Sequence, residues 1–210
     1  MSLINKTFFS KSIYSSPDKQ TLVDPRAKSY KEIQKKYIWL NDNTTYGQSF
    51  HAQGEGYINF IKTLKVESVL DIGTGKGHFC QWAKQNLCDT VYGLDFAIQP
   101  DEKITGINFI NAPSHEIPLP DKSIDLVTSF DVMEHLHPDY LEKTISEMFR
   151  VAKSFLFHSI SSRPSYSHIN KVGQLHLIQQ PMQFWLEEVF LKMSPNSRQH
   201  DDNSIFVPLN

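Results

Sequence analysis

Nothing in this 210-residue chain restricts the fold as much as the run Val69-Leu70-Asp71-Ile72-Gly73-Thr74-Gly75-Lys76-Gly77. Val66 to Ile72 is apolar and β-branched enough for a buried parallel strand, and Gly77-His78-Phe79-Cys80-Gln81-Trp82-Ala83-Lys84 reads as the first turns of a helix. Between them, three glycines on alternate positions permit a tight turn and let a small polar ligand lie against bare backbone, since no Cβ intervenes. The spacing narrows the ligand. A dinucleotide loop needs G-x-G-x-x-G, and His78 stands where the third glycine would fall. A phosphate-cradling loop needs a longer glycine gap followed by Lys and then Ser or Thr, which Lys76-Gly77-His78 does not supply.

The pattern Asp71-x-Gly73-x-Gly75-x-Gly77 resembles the first motif of the class I S-adenosylmethionine (SAM) dependent methyltransferases. The resemblance implies that Asp71, Gly73, Thr74, Gly75 and Gly77 hold the amino-acid end of the cofactor, which carries an ammonium and no phosphate. Thr90 to Asp95 reads as a second strand ending in an acid about twenty residues past the glycines, where a ribose diol lies in a doubly wound sheet. A carboxylate accepts both hydroxyl protons, so Asp95 is the expected ribose ligand, with Phe96 and Ala97 flanking the adenine. A third strand, Ile107 to Asn111, leads through Ala112-Pro113-Ser114-His115 towards Ile124-Asp125-Leu126-Val127, which looks like the family's passage into strand four. It departs at Ala112-Pro113, where the family often has an acid facing the adenine amino group; Ser114, His115 or main-chain groups then take that role. Ser129, Phe130 and Asp131, at the end of strand four, are expected beside the methionine end. The resemblance covers about Val66 to Ser159.

Balanced charge, with Lys+Arg 21 against Asp+Glu 23, gives no overall basic field for duplex nucleic acid. No apolar segment is long enough to span a bilayer. The two cysteines, Cys80 and Cys88, fall near the first helix rather than in a disulfide framework, and no signal-like start precedes them, so the cytoplasm is the expected compartment. Met1 to about Lys28 is polar and broken by Ser-Ser-Pro and Asp-Pro, which predicts an extended arm or lid. Tyr30 to Leu40 and Gly54 to Leu64 carry apolar residues at helical spacing, and Tyr46 to Gln53 forms a polar-aromatic loop that either closes over the cofactor mouth or is an ordinary connection.

SAM is already an activated sulfonium, so transfer requires mainly alignment and exclusion of water, but an oxygen acceptor must also lose a proton to a base or through a metal-lowered pKa. Of nine histidines, several fall near the ends of strands four and five, and the sharpest cluster is Asp131-Val132-Met133-Glu134-His135-Leu136-His137. On a helical turn, Asp131, Glu134 and His135 share a face that can hold a divalent cation. The segment looks like the acid-x-x-Glu-His element of two metal-assisted O-methyltransferase groups, those of ubiquinone biosynthesis and those that cap the terminal ribose of small RNAs. His158, His168 and His176 are available as a further ligand, and His176 in Gly173-Gln174-Leu175-His176-Leu177 is preferred. The implied metal set is Glu134, His135 and His176, with Mg or Mn; metal-free base roles for His135, His158 or His176 are the competing reading, as is a Glu-His pair that only packs.

The last third departs from the family. Tyr140 to Arg150 reads as a helix and Ser154 to Ser159 as a fifth strand, but the usual Pro-Gly-Gly turn before it is replaced by Arg150-Val151-Ala152-Lys153. Ser161 to His168 has the polarity of an acceptor loop, in which Arg163 pairs with an anionic acceptor or stays solvated. Pro181 opens a helix in which Trp185 is expected in the core. Beyond it only Asn203 to Pro208 reads as a strand, leaving its antiparallel neighbour short, cryptic or missing. The expectation is a Rossmann-like α/β fold, a doubly wound, mostly parallel sheet with an antiparallel C-terminal strand between helical layers. Residues 1–53 form an N-terminal arm and helix acting as a lid, and 54–210 the SAM-binding domain. The expected activity is methyl transfer to a small-molecule or glycan-like acceptor, oxygen before nitrogen, without membrane or nucleic-acid partner. A metal-dependent RNA ribose methyltransferase, a non-catalytic SAM-binding subunit and a nicotinamide oxidoreductase are the other readings.

Overall fold

In the computed structural model of the chain, the described residues are 30–47, 50, 55–165 and 172–209. The expected arm Met1 to Lys28, most of the loop before Gly54, and His168 lie outside them. Two helices, α1 (Tyr30–Asn43) and α2 (Glu55–Thr63), precede a seven-stranded sheet of order β3-β2-β1-β4-β5-β7-β6. Its strands are β1 (Ser68–Ile72), β2 (Thr90–Asp95), β3 (Asn108–Asn111), β4 (Ile124–Phe130), β5 (Ala152–Ser159), β6 (Arg198–Asp201) and β7 (Ser204–Pro208). The crossovers are carried by α3 (His78–Asn86) after β1 and α4 (Pro138–Val151) after β4. A helical segment over residues 182–193, here α5, precedes the C-terminal hairpin.

β1 to β5 pair in parallel and β7 runs antiparallel against β5. The partner strand that the sequence left open is β6, paired with β7 across the turn at 202–203. Its residues Arg198-Gln199-His200-Asp201 are all exposed, so no apolar alternation marks them, and only the register with β7 makes them a strand. β4 is the opposite case: all seven of its residues are buried, because both faces of the central parallel strand are covered.

Two apolar layers cover the sheet. Leu70, Ile72, Val127, Leu156 and Val207 point to a face packed by α4 and α5, where Trp185 is fully buried as expected. Val69, Val91, Leu126, Phe157 and Phe206 point to the other, under α2 and α3. Helix α5 does not keep one geometry: Trp185–Phe190 is π-helical between two α-helical turns. A third, smaller cluster lies past the carboxyl ends of the strands, where Ile33, Tyr37 and Leu40 of α1 meet Leu175 and Leu177. That cluster brings α1 over the end of the sheet where ligands bind in such folds.

Candidate cofactor and acceptor site

The cleft opens at the carboxyl ends of β1, β2 and β4, where the strand order reverses direction between β1 and β4. Its floor is the glycine loop, and the loop's own amides are all engaged. Gly73 and Thr74 donate to the Leu94 carbonyl at 2.7 and 3.1 Å, Lys76 to the Gly47 carbonyl at 3.0 Å and Gly77 to the Thr74 carbonyl at 2.9 Å. Gly75 donates to Asp95 Oδ2 at 3.1 Å. The amides of residues 73–77 are thus spent on the protein itself and are not offered to a ligand.

The glycines serve a second purpose that the sequence does not show. A Cβ on Gly73 would stand 2.5 Å from the Val132 side chain, and one on Gly75 would stand 2.5 Å from the Gly47 carbonyl. Both residues have positive φ, at 67° and 54°. The expectation that bare glycine backbone is there for a ligand is therefore corrected in part. At these two positions the missing Cβ admits other protein segments, Val132 on one side and the turn after α1 on the other.

Asp71 lies 3% exposed at the cleft floor and accepts from Thr128 Oγ1 at 2.8 Å. Burial pushes its carboxyl up to about 7, against the pull of the Thr128 and Thr74 hydroxyls. A cationic group placed here would restore its charge. Asp95 is equally buried and raised by burial, but backbone amides pull it back. Its Oδ1 accepts from Ala97 and Ile98 N–H, each at 2.9 Å, and Oδ2 from Gly75. The Phe96 main chain also bonds to this carboxylate, so Asp95 is held rigidly at the strand end by its own backbone.

Among the described residues, the cleft carries three carboxylates, Asp71, Asp95 and Asp131, and no Lys or Arg side chain. This donor set fits SAM, whose sulfonium and ammonium are cations, and gives no partner to a pyrophosphate. Phe96, Ser114, His115 and Phe130 line the cleft with Thr74, as the resemblance implies. Ser129 and Gly77 do not. Ser129 is fully buried and turned to His158, and Gly77 packs towards Pro100 and Ile104.

The histidines separate sharply. His158, expected as a candidate base, is fully buried in the sheet, with Nδ1 at 2.8 Å from Ser129 Oγ and its ring stacked on Phe190. Burial lowers its pKa to about 3, and it does not reach the cleft. β5 alternates, so the residue after Phe157 faces the α5 side of the sheet rather than its end. His135 does line the cleft. Its Nδ1 is 3.0 Å from the Leu175 carbonyl and 2.9 Å from the Tyr37 hydroxyl, and its Nε2 is 3.4 Å from the Tyr46 hydroxyl. A carbonyl cannot donate, so the proton sits on Nδ1 and Nε2 offers its lone pair. Burial, with His176 beside it, lowers this imidazole to about 3.

The turn after β4 is not the α-helical face expected for Asp131, Glu134 and His135. Asp131 adopts a left-handed backbone, φ 53°, held by Ser159, and only Met133–His135 forms a tight 3-10 turn. Asp131 therefore points into the cleft, while Glu134 points away and is fully buried. Glu134 Oε1 accepts from Ser161 N–H at 3.0 Å, and its Oε2 is buried without a hydrogen-bond partner. His176 stands T-shaped to His135 at 4.6 Å and donates from Nδ1 to the Arg163 carbonyl at 2.6 Å. One ligand atom each from Glu134, His135 and His176 lies within 4.8 Å of the others. Neither His176 nor Arg163 is on the cleft wall. The residues that the sequence reading missed are Tyr37 and Tyr140, which the helical period assigns only to packing, and Tyr30 at the start of α1; all three line the cleft.

Strand order, glycine loop and acid-lined cleft together define a Rossmann-like methyltransferase fold. Residues 70–155 match the family model described as a methyltransferase domain. A 1,6-didemethyltoxoflavin-N1-methyltransferase of Burkholderia thailandensis, solved with its acceptor and S-adenosylhomocysteine, is 12% identical over 90% of this chain and 91% of its own, with a TM-score of 0.62. A methyltransferase from Bacillus halodurans is 17% identical over 70% and 71%, TM-score 0.52. One from Mesorhizobium loti is 21% identical, TM-score 0.43, and this chain covers 60% of its length while 55% of this chain is matched, so the likeness spans less than two thirds of that relative. No curated protein matches the chain. The chain thus has the fold of the SAM-dependent methyltransferases, and residues 70–155 carry a methyltransferase domain.

Proposed function

We propose that this enzyme methylates an oxygen of a small-molecule or glycan-like acceptor. SAM supplies the electrophilic methyl; the chain supplies position, dryness and a place for the proton. The observation that carries the reading is the His135 lone pair on the cleft wall. With Nδ1–H fixed on the Leu175 carbonyl, Nε2 faces the Tyr46 hydroxyl over 3.4 Å, a weak contact that an acceptor hydroxyl can displace. An amine acceptor would need no such partner once neutral. Asp71, Gly73, Thr74 and Gly75 would hold the methionine end with Phe130 and Asp131, Asp95 the ribose, and Phe96, Ser114 and His115 the base. α1 and the turn after it close the mouth with Tyr37 and Tyr46, which supports residues 1–53 as the lid of a 54–210 catalytic unit. No helix among the described residues is long and apolar enough to cross a membrane, and both cysteines are free; the compartment in this reading is the cytoplasm. The test is release of S-adenosylhomocysteine across a panel of hydroxyl and amine acceptors. Turnover on amines alone would overturn the oxygen assignment.

A second reading has its own observation. The unpartnered Glu134 Oε2, beside His135 and His176 whose Nδ1 atoms both meet main-chain carbonyls, is the arrangement in which a divalent cation such as Mg or Mn would be held. Without a cation the carboxyl is pushed well above its usual range by burial and by Asp131. Manganese titrated into wild type and Glu134→Gln decides between them: saturable binding lost in the variant supports the metal, and no binding to either removes it.

A further inference from the structure

At the end of the cleft beyond Asp95, four rings close together. Tyr30 lies 5.0 Å from Phe96, 5.3 Å from His115 and 5.9 Å from Tyr140, and His115 stacks on Tyr140 at 4.3 Å and 17°. All four rings line the cleft. Three of them come from the sheet and its following helix, whereas Tyr30 is brought in by α1, which is anchored by Gln34 Nε2 on the Phe96 carbonyl at 2.6 Å. The Tyr30 hydroxyl is buried and has no hydrogen-bond partner among the described residues. A buried hydroxyl without a partner is costly, so a group that satisfies it on binding gains what the free protein lacks. The neighbouring polar side chain is not free to do the same work, because Ser114 Oγ is paired with Thr144. Ala112 and Pro113 offer no side-chain acceptor at all.

The proposal rests on the SAM reading above, in which Asp95 takes the ribose and the base continues towards these rings. We propose that Tyr30 is the residue that recognises the 6-amino group of the adenine, its phenolic oxygen accepting the N–H while the rings of Phe96 and His115 wall the end of the cleft around the base. A hydroxyl can accept this bond at the mouth of an aromatic cage where a carboxylate would have to be desolvated. The cofactor's base is then read by the lid helix rather than by the sheet, so closing α1 and recognising the cofactor are one event.

Calorimetry of the full chain separates the contact from packing. The two ligands are S-adenosylhomocysteine and its analogue with hydrogen in place of the 6-amino group. Wild type should prefer the adenine ligand, and Tyr30→Phe should weaken it about 3- to 10-fold, the loss of one hydrogen bond, while leaving the 6-unsubstituted analogue within a factor of two. His115→Ala, which removes one of those rings, should weaken both ligands equally. Equal loss of both ligands in Tyr30→Phe, or no loss of either, overturns the assignment of Tyr30 while the cofactor reading stands. Failure of wild type to bind S-adenosylhomocysteine overturns both.

Discussion

The two walls of the cleft are built by different means. The glycine-loop wall is made mainly by one strand–turn–helix unit, tied by hydrogen bonds from Gly73, Thr74 and Gly75 to Leu94 and Asp95 at the end of β2 and from Lys76 to Gly47. The opposite wall is assembled from α1, the turn after β4 and the segment at 175–178, whose main chain bonds back to Glu134: Leu177 and Ile178 N–H both donate to its carbonyl, at 2.7 and 3.0 Å. The first wall needs few partners from far along the chain, chiefly the Gly47 carbonyl that accepts from Lys76. The second exists only when three distant segments meet. Binding and turnover should therefore come apart when the two walls are altered separately.

The largest effect is expected on the first wall. Asp95→Ala removes a ligand acceptor and strands the N–H groups of Gly75, Ala97 and Ile98, so affinity for S-adenosylhomocysteine should fall at least 100-fold by calorimetry, with Asp95→Asn recovering part of it. Gly75→Ala comes next: positive φ and a Cβ 2.5 Å from the Gly47 carbonyl should cost about 2 kcal/mol or more in chemical denaturation and loosen cofactor binding with it. On the second wall, His135→Gln should leave cofactor affinity within about threefold while lowering turnover roughly 10²-fold. If it abolishes cofactor binding instead, the walls are not separable.

The smallest effect lies behind both walls. His158 is neutral in the fold, with a pKa near 3 against an ordinary value of 6.5. A group whose folded pKa is depressed contributes its full stability above the unfolded value and loses it as pH falls. Between pH 7.5 and 5 this one residue should cost about 2 kcal/mol of unfolding free energy, readable as a shift in urea midpoint. His158→Phe should flatten that pH dependence without touching the cofactor affinity.

How much of this was legible depended on range in sequence. The Asp71 to Gly77 loop and the Asp95 position follow from a strand–turn–helix pattern whose parts are neighbours, and β1 to β5 follow from apolar runs that parallel pairing buries. β6 was not legible, because an exposed edge strand has no pattern to read. The split between His135 and His158 was not legible either. Both lie near strand ends, and only the pleat of β5 and the tight turn at Met133–His135 decide which imidazole sees the cleft. Tyr37 looked like packing because helical period marks it as apolar, and its hydroxyl finds His135 across 98 positions of chain.

By itself, then, the sequence determined the fold class: a glycine loop at a strand end, with an acid after the next strand, marks a doubly wound α/β sheet, since local backbone chemistry sets the strand–turn–helix unit. Tertiary structure decided the rest. Which glycines make room for protein, which carboxylates stay charged, which histidine keeps a free lone pair and which tyrosine waits unpartnered at the base all depend on burial. Burial is a property of segments brought together, and no single segment carries it.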